Sequence, residues 1–376
     1  MALTELRIAG YRSLRNFFLK LGPLNVVTGP NGSGKSNLYR SLRLLAQMAE
    51  GGFARALGRE GGLVSAVWAG PRIGDRSPRL SLGFRTEDVG FEIAIGYPVP
   101  GPPTRFGFDP HIKAETVWHG ARATPKSTLL ERLNGRTWLR DVNGDRIDYQ
   151  YELTENESIL SQLREPEPFP ELFVVRDEVR RWRFYHHFPT DDAAPCRRPQ
   201  VSVRNPVRSH DGSDLAATLQ TIQEGHGGQA ERLHAAVELA FPGRKLEILD
   251  SVTVELGMKS PRLAELCVAL ETAGCTRPLL AGELSDGTLK FLCLAAALLS
   301  PQPPALIALN EPEASLHPDL IPALATLIVD ASRASQVLVC THSQPLVEKI
   351  SAAAGLKAIR LKLENGETRR EADDDD

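Results

Sequence analysis

With 376 residues, 42% of them hydrophobic and 24% charged, the chain has an ordinary globular composition. That excludes general disorder and a fibrous class, and leaves room for one large α/β domain with an insertion or for two domains. A net charge of −3 supplies no global attraction to nucleic acid, so any such contact must come from a local patch.

The opening residues Met1 to Arg7 carry charge where a secretory signal needs an apolar core. The longest apolar run, Phe291 to Leu299, is about half of a membrane span, which predicts a buried helix and no membrane partner. Cys196, Cys267, Cys275, Cys293 and Cys340 form neither a C-x-x-C pair nor a set with matched histidines, so the expectation is reduced thiols and a cytoplasmic location.

In chain order, Leu6 to Ile8 and Leu24 to Thr28 are the first short aliphatic runs that end at a chemically loaded turn, as strands of a buried parallel sheet do. Leu38, Leu42 and Leu45 then recur at helical spacing. Leu80 to Arg85 and Gly90 to Tyr97 alternate around Thr86-Glu87-Asp88, which predicts a hairpin in an antiparallel β-layer. Breaker clusters at Pro98 to Pro110 and Glu165 to Pro170 bound an insertion. Its helices are expected over Thr154 to Leu163, with Thr154 and Glu157 as a capping box, and from near Glu171. Ala305 to Leu309 and Val337 to Cys340 complete the candidate core strands, with Leu320, Leu324 and Leu327 marking a covering helix. Glu371 to Asp376 reads as a disordered acidic tail, and no heptad run signals a long coiled coil.

The run Gly29-Pro30-Asn31-Gly32-Ser33-Gly34-Lys35-Ser36 follows a strand and opens a helix. Glycines there let backbone N–H groups face phosphates, and the helix N-terminus favours an anion. Lys35 would reach the β- and γ-phosphates of ATP, and Ser36 would ligate Mg²⁺. Asn31, Gly32, Ser33, Gly34 and Asn37 complete the expected cradle. The competing reading, a glycine-rich turn with a solvated lysine, needs a chance match of about one per cent.

Three further stretches decide among P-loop families. Glu283-Leu284-Ser285-Asp286-Gly287-Thr288-Leu289-Lys290 opens a helix; Leu309-Asn310-Glu311-Pro312-Glu313-Ala314-Ser315-Leu316-His317 follows a strand, as does Thr341-His342-Ser343. With the P-loop, this order resembles the RecF/SMC-like ATP-binding-cassette (ABC) ATPases, in the L-S-D-G-T form also seen in OLD-like proteins.

The resemblance implies an α/β P-loop fold of ABC head type: a mainly parallel core sheet with flanking helices, an antiparallel β-layer and an inserted, mainly helical subdomain. The expected boundaries are 1–150 for the first part of the head, 151–244 for the insertion, 245–366 for the second part and 367–376 for the tail.

It further implies that Glu311 is the general base, that His342 contacts the γ-phosphate, and that Lys35 serves the same step. Ser285 and Gly287 of a second subunit would cover the nucleotide, making an ATP-dependent homodimer. Arg12, in Ile8-Ala9-Gly10-Tyr11-Arg12-Ser13-Leu14, would approach the nucleotide; a surface arginine is the alternative.

Two departures qualify the resemblance. Asn310 stands where the family has an aspartate holding Mg²⁺ through water, which predicts slow hydrolysis. No glutamine occurs between Gln47 and Gln150, so Trp68-Ala69-Gly70 is the stand-in for the loop that joins magnesium to the lobe interface. The wide separation of Lys35 from Ser285 argues against a transporter subunit.

Arg176, Arg180, Arg181, Arg183, Arg197, Arg198, Arg204 and Arg208, interleaved with Trp182, Phe184 and Tyr185, would suit DNA. Asp177, Glu178, Asp191 and Asp192 offset them, and a salt-bridged solvated face is the alternative. Two readings follow. One is an ATPase acting on DNA in repair, recombination or genome defence through ATP-driven dimerisation. The other is a nucleotide-gated interaction module serving a separate effector protein, with weak or no hydrolysis. A nuclease domain of the OLD-like kind would have to be a separate polypeptide.

Overall fold

The computed structural model describes residues 1–71, 78–99, 105–133, 135–205, 209, 212–250 and 265–371. Arg208, residues 100–104 of the first breaker cluster and the acidic tail from residue 372 lie outside the described residues. Two compact units emerge, Met1–Trp182 with the returning segment Ile359–Asp376, and Arg183–Ala358.

The first unit opens with β1 (Glu5–Tyr11), β2 (Leu14–Lys20) and β3 (Leu24–Thr28). Helices α1 (Lys35–Glu50), α2 (Phe53–Arg59) and α3 (Gly62–Ala66) follow, and then β4 (Arg79–Arg85), β5 (Val89–Gly96), β6 (His111–His119), β7 (Thr128–Leu133), β8 (Arg136–Arg140) and β9 (Arg146–Asp148). Eight strands make one sheet in the order β2-β1-β4-β5-β6-β7-β8-β9, with antiparallel neighbours throughout.

The run Leu6 to Ile8 therefore belongs to this antiparallel layer and not to the parallel core. Glu5-Leu6-Arg7-Ile8 alternates, with Leu6 and Ile8 buried and Arg7 exposed, which is the period of a half-buried strand. Three residues were too few to show that period. By contrast α1 meets its pattern: Leu38, Leu42 and Leu45 are buried, and Gly51 closes the helix in the left-handed region with its N–H on the Gln47 carbonyl.

The unit continues with the short α4 (Ile159–Gln162) and α5 (Pro170–Arg180). The helix expected from Thr154 starts only at Ile159, capped by Ser158, whose Oγ accepts from Leu160 N. Residues 154–157 have other partners. Arg132 donates to the Thr154 and Glu157 carbonyls, and the Glu157 carboxylate accepts from the Phe53 and Ala54 N–H groups at the start of α2. Those bonds spend the groups that a longer helix would need.

The second unit contains β10 (Arg183–Tyr185), β11 (Gln200–Val201), α6 (Leu215–Gln223), α7 (Gln229–Ala240), β12 (Arg244–Asp250), β13 (Glu265–Thr272) and β14 (Leu279–Leu280). It then runs through α8 (Asp286–Leu298), β15 (Leu306–Asn310), α9 (Ile321–Ala331), β16 (Gln336–Cys340) and α10 (Gln344–Ala354). β10, β15 and β16 pair in parallel, and every residue of β15 and β16 is buried, as strands covered on both faces must be. β11, β12 and β14 each pair antiparallel with β13. Helix α8 is buried from Thr288 to Leu298, which accounts for the long apolar run.

The chain then returns to the first unit as β17 (Ile359–Glu364), parallel to β3, and β18 (Glu367–Arg370), antiparallel to β17. Among the described residues no helix is long and apolar enough to cross a membrane.

Candidate active site

In the first unit β3 delivers the chain into the P-loop. Gly29, Gly32 and Gly34 have φ of 152°, 80° and 102°, a region that side-chain-bearing residues seldom enter. A Cβ on Gly29 would overlap the Leu361 carbonyl oxygen of β17, and one on Gly34 would overlap the Thr368 side chain of β18. The hairpin β17–β18 thus moulds the loop, and α1 leaves it at Lys35 with its first N–H groups unpaired by any side-chain cap.

Lys35 is only 5% exposed, and its Nζ donates to the carbonyls of Gly29 at 2.6 Å and Pro30 at 3.0 Å. These are bonds that a phosphate oxygen can replace. Ser33 Oγ is buried without a hydrogen-bond partner, while Asn31 and Gly32 are exposed and Ser36 is half-buried. Asn37 donates to Ser13 Oγ at 2.9 Å, and Ser13 Oγ meets Thr368 Oγ1 at 2.7 Å.

Next to them Arg12 sits at φ 46°, strained for a residue with a side chain. Its guanidinium donates to the Glu60 carbonyl at 3.3 Å and to Glu60 Oε2 at 3.1 Å, while its Nε is buried without a partner. Tyr11 OH donates to the same carboxylate at 2.6 Å, and burial, with that carboxylate, pushes the phenol well above its ordinary range. Arg12, Ser13 and Asn37 line a cavity of about 460 Å³ together with Trp68, Ala69 and Gly70. The segment expected to replace the missing glutamine loop therefore reaches the Asn37 side of the P-loop helix, without a glutamine.

In the second unit the parallel strands β15 and β16 end side by side, and their carboxyl ends carry the acidic and histidine motifs. Asn310 is 3% exposed. Its Nδ2 meets His186 Nδ1 at 2.9 Å, and its Oδ1 is buried with no partner. Glu311 is held at φ 49°, and its N–H donates to the Cys340 carbonyl at 2.8 Å. Its carboxylate, one-third exposed, lies 3.6 Å from His342 Nδ1, which is also 3.7 Å from Glu313. Glu313 is buried; Oε1 accepts from Thr341 Oγ1 at 2.5 Å and Oε2 has no partner. Lys290 of α8 is buried alongside and donates to the Ala314 carbonyl. Burial lowers its pKa, against the raising effect of Glu313 and Glu311.

Ser285 and Gly287 lie elsewhere in this unit, at the N-terminus of α8. Ser285 Oγ caps the helix by accepting from Thr288 N at 3.3 Å. Both residues line a cavity of about 390 Å³ that also takes in Arg244 and His317.

Arg197, expected as a nucleic-acid contact, is instead spent on this turn. Its guanidinium donates to the carbonyls of Ala281 at 3.2 Å, Gly282 at 3.3 Å and Leu284 at 2.8 Å, and to Asp286 Oδ1 at 2.5 Å. Arg197, His186 and Lys290 were missed as parts of the site. A single lysine in the apolar face of α8 was a readable signal; Arg197 and His186 carried none. The aromatic residues of the arginine-rich segment turn inward: Trp182, Phe184 and Tyr185 are 3%, 8% and 4% exposed, which rules out stacking on bases. Arg176, Arg181 and Arg204 pair with Asp177, Glu178 and Glu224, as on a salt-bridged face.

Comparison with known proteins gives the same class. The chain is similar over 99% of its length, and over 98% of that structure, to an SMC head bound to the C-winged helix domain of ScpA, at 14% identity and a TM-score of 0.53. It is similar over 98% of its length, and 96% of that structure, to the SMC head with an extended coiled coil bound to the C-terminal domain of ScpA from Pyrococcus furiosus, at 13% identity and a TM-score of 0.52. No curated protein matches the chain in sequence. Residues 24–348 match the family described as AAA domain, putative AbiEii toxin, Type IV TA system. The chain therefore belongs to this AAA family, and it has the fold of an SMC head.

Proposed function

We propose that the protein binds ATP with Mg²⁺, hydrolyses it slowly, and uses the ATP-bound state to pair with a second copy of itself and act on DNA. The observation that carries the hydrolytic reading is Glu311: a carboxylate held in a strained conformation at a strand end, partly open to water and 3.6 Å from His342.

In the proposed reaction Lys35 and the amides of residues 31–36 hold the phosphates. Glu311 takes the proton of the attacking water as its oxygen bonds to the γ-phosphorus; the β–γ bridge then breaks, leaving ADP and phosphate. His342 orients the γ-phosphate. Mg²⁺, when bound, neutralises the charge shared between the β- and γ-phosphates. Ser36 and Asn310 would hold it. The buried Asn310 Oδ1 without a partner is a hard oxygen suited to a water of that ion, though it brings no charge. Across the dimer, Ser285 and the amide of Gly287 would close on the partner's nucleotide. The protein is expected to work in the cytoplasm.

A second reading has one observation in its favour. Asn310 is neutral and its amide is engaged by His186, which suits a nucleotide-gated module that binds ATP, scarcely turns it over and serves a separate effector protein. Steady-state phosphate release with and without duplex DNA separates the two. Turnover abolished by Lys35→Ala and raised by DNA supports the first reading. Tight ATP binding with no turnover in either condition supports the second and rejects the first.

A further inference from the structure

A cavity of about 450 Å³ opens beside α1 and α2, and four guanidinium groups, Arg12, Arg40, Arg43 and Arg59, face one carboxylate, Glu60, around it. Arg40 and Arg43 are exposed one turn apart on α1, and Arg59 ends α2. Glu60 is already engaged by Arg12 and Tyr11. Among the described residues the side chains of Arg40, Arg43 and Arg59 make no ion pair or hydrogen bond. Converging like charges of this kind repel one another unless an anion lies between them. The volume exceeds what a single phosphate fills and is within the range of ordinary ligand sites, roughly 300–1,000 Å³. No aromatic ring lines it, so it offers no surface on which a base could stack.

We propose that this cavity binds the phosphodiester backbone of nucleic acid without regard to sequence, and that Arg12 reports its occupancy to the nucleotide site. Guanidinium groups fork onto phosphate oxygens, and contacts of this kind set position and affinity but not sequence. Arg12 is the link because it lines both this cavity and the one next to Asn37. A phosphate entering among Arg40, Arg43 and Arg59 competes with Glu60 for Arg12. That shifts a side chain whose backbone is already strained. The assignment rests on the DNA reading given above and places it at α1 and α2 of the first unit.

The test is fluorescence anisotropy of a short labelled DNA duplex on the full chain, titrated with salt, for the native sequence and for Arg40→Gln, Arg43→Gln and Arg59→Gln combined. These residues lie on the surface, and an unchanged melting curve checks the fold. The native chain should bind, and the triple variant should lose at least about tenfold in affinity. Its salt slope should fall by about 2 to 3, since each lost phosphate contact removes about 0.9. Duplex should alter the affinity for a fluorescent ATP analogue by about fivefold or more in the native chain and not in the variant.

Equal DNA affinity and slope in both proteins overturns this site and leaves the DNA reading standing. No DNA binding by the native chain overturns both. Displacement of a bound duplex only at tripolyphosphate concentrations that raise the ionic strength supports the backbone site; tight saturable tripolyphosphate binding with no duplex bound makes it a small-polyanion pocket and overturns it.

Discussion

In the proposed reaction Asn310 is the residue on which rate turns. A unit charge placed a few ångströms from a dication in a partly wet site contributes on the order of a few kcal/mol, and the amide lacks it. Replacing it, Asn310→Asp, is expected to raise the apparent Mg²⁺ affinity of nucleotide binding about tenfold, about 1.4 kcal/mol, read by magnesium titration with a fluorescent ATP analogue. Unchanged affinity would mean that another group already supplies the charge. Lys290 is a structural counterpart: its ammonium is buried near Glu311 and Glu313 and bonds the Ala314 carbonyl. Lys290→Met should cost about 2 kcal/mol or more in urea unfolding, because it strands a buried carboxylate and a carbonyl. A loss below about 0.5 kcal/mol would show that water reaches this corner.

At the level of elements, the turn that opens α8 depends on a distant side chain. Three carbonyls and Asp286, all more than eighty positions along the chain, converge on Arg197. Arg197→Gln is expected to speed amide exchange across residues 281–286 by at least about tenfold, which corresponds to about 1.4 kcal/mol of local stability. Exchange rates equal to those of the native chain would dismiss the brace. The same residue shows what a sequence can and cannot tell. Strands β3, β15 and β16 and helices α1 and α8 were legible because each is contiguous and carries its own period or its own glycines. The P-loop was legible for the same reason. β1 was misplaced because three residues cannot distinguish alternation from an apolar run, and the start of α4 because Arg132 and Glu157 draw its first residues into tertiary bonds. Arg197 and His186 acquire their partners only when the chain folds, so no spacing announced them.

At the scale of the molecule, the long separation of P-loop and signature is filled by folded structure. β4 to β9 build most of an eight-stranded layer in the first unit, and α6, α7, β12 and β13 belong to the second. The family match gives the chain its class, and the SMC-head likeness its fold. In the proposed reaction Glu311 serves the proton transfer alone, so Glu311→Gln should keep ATP binding while stopping its hydrolysis. Sedimentation velocity of Glu311→Gln with ATP and Mg²⁺ tests the proposed pairing of two copies most directly. The account predicts a dimer that falls back to monomer when Ser285→Arg is added or ATP is withheld; a species that stays monomeric with ATP bound at saturation would contradict it.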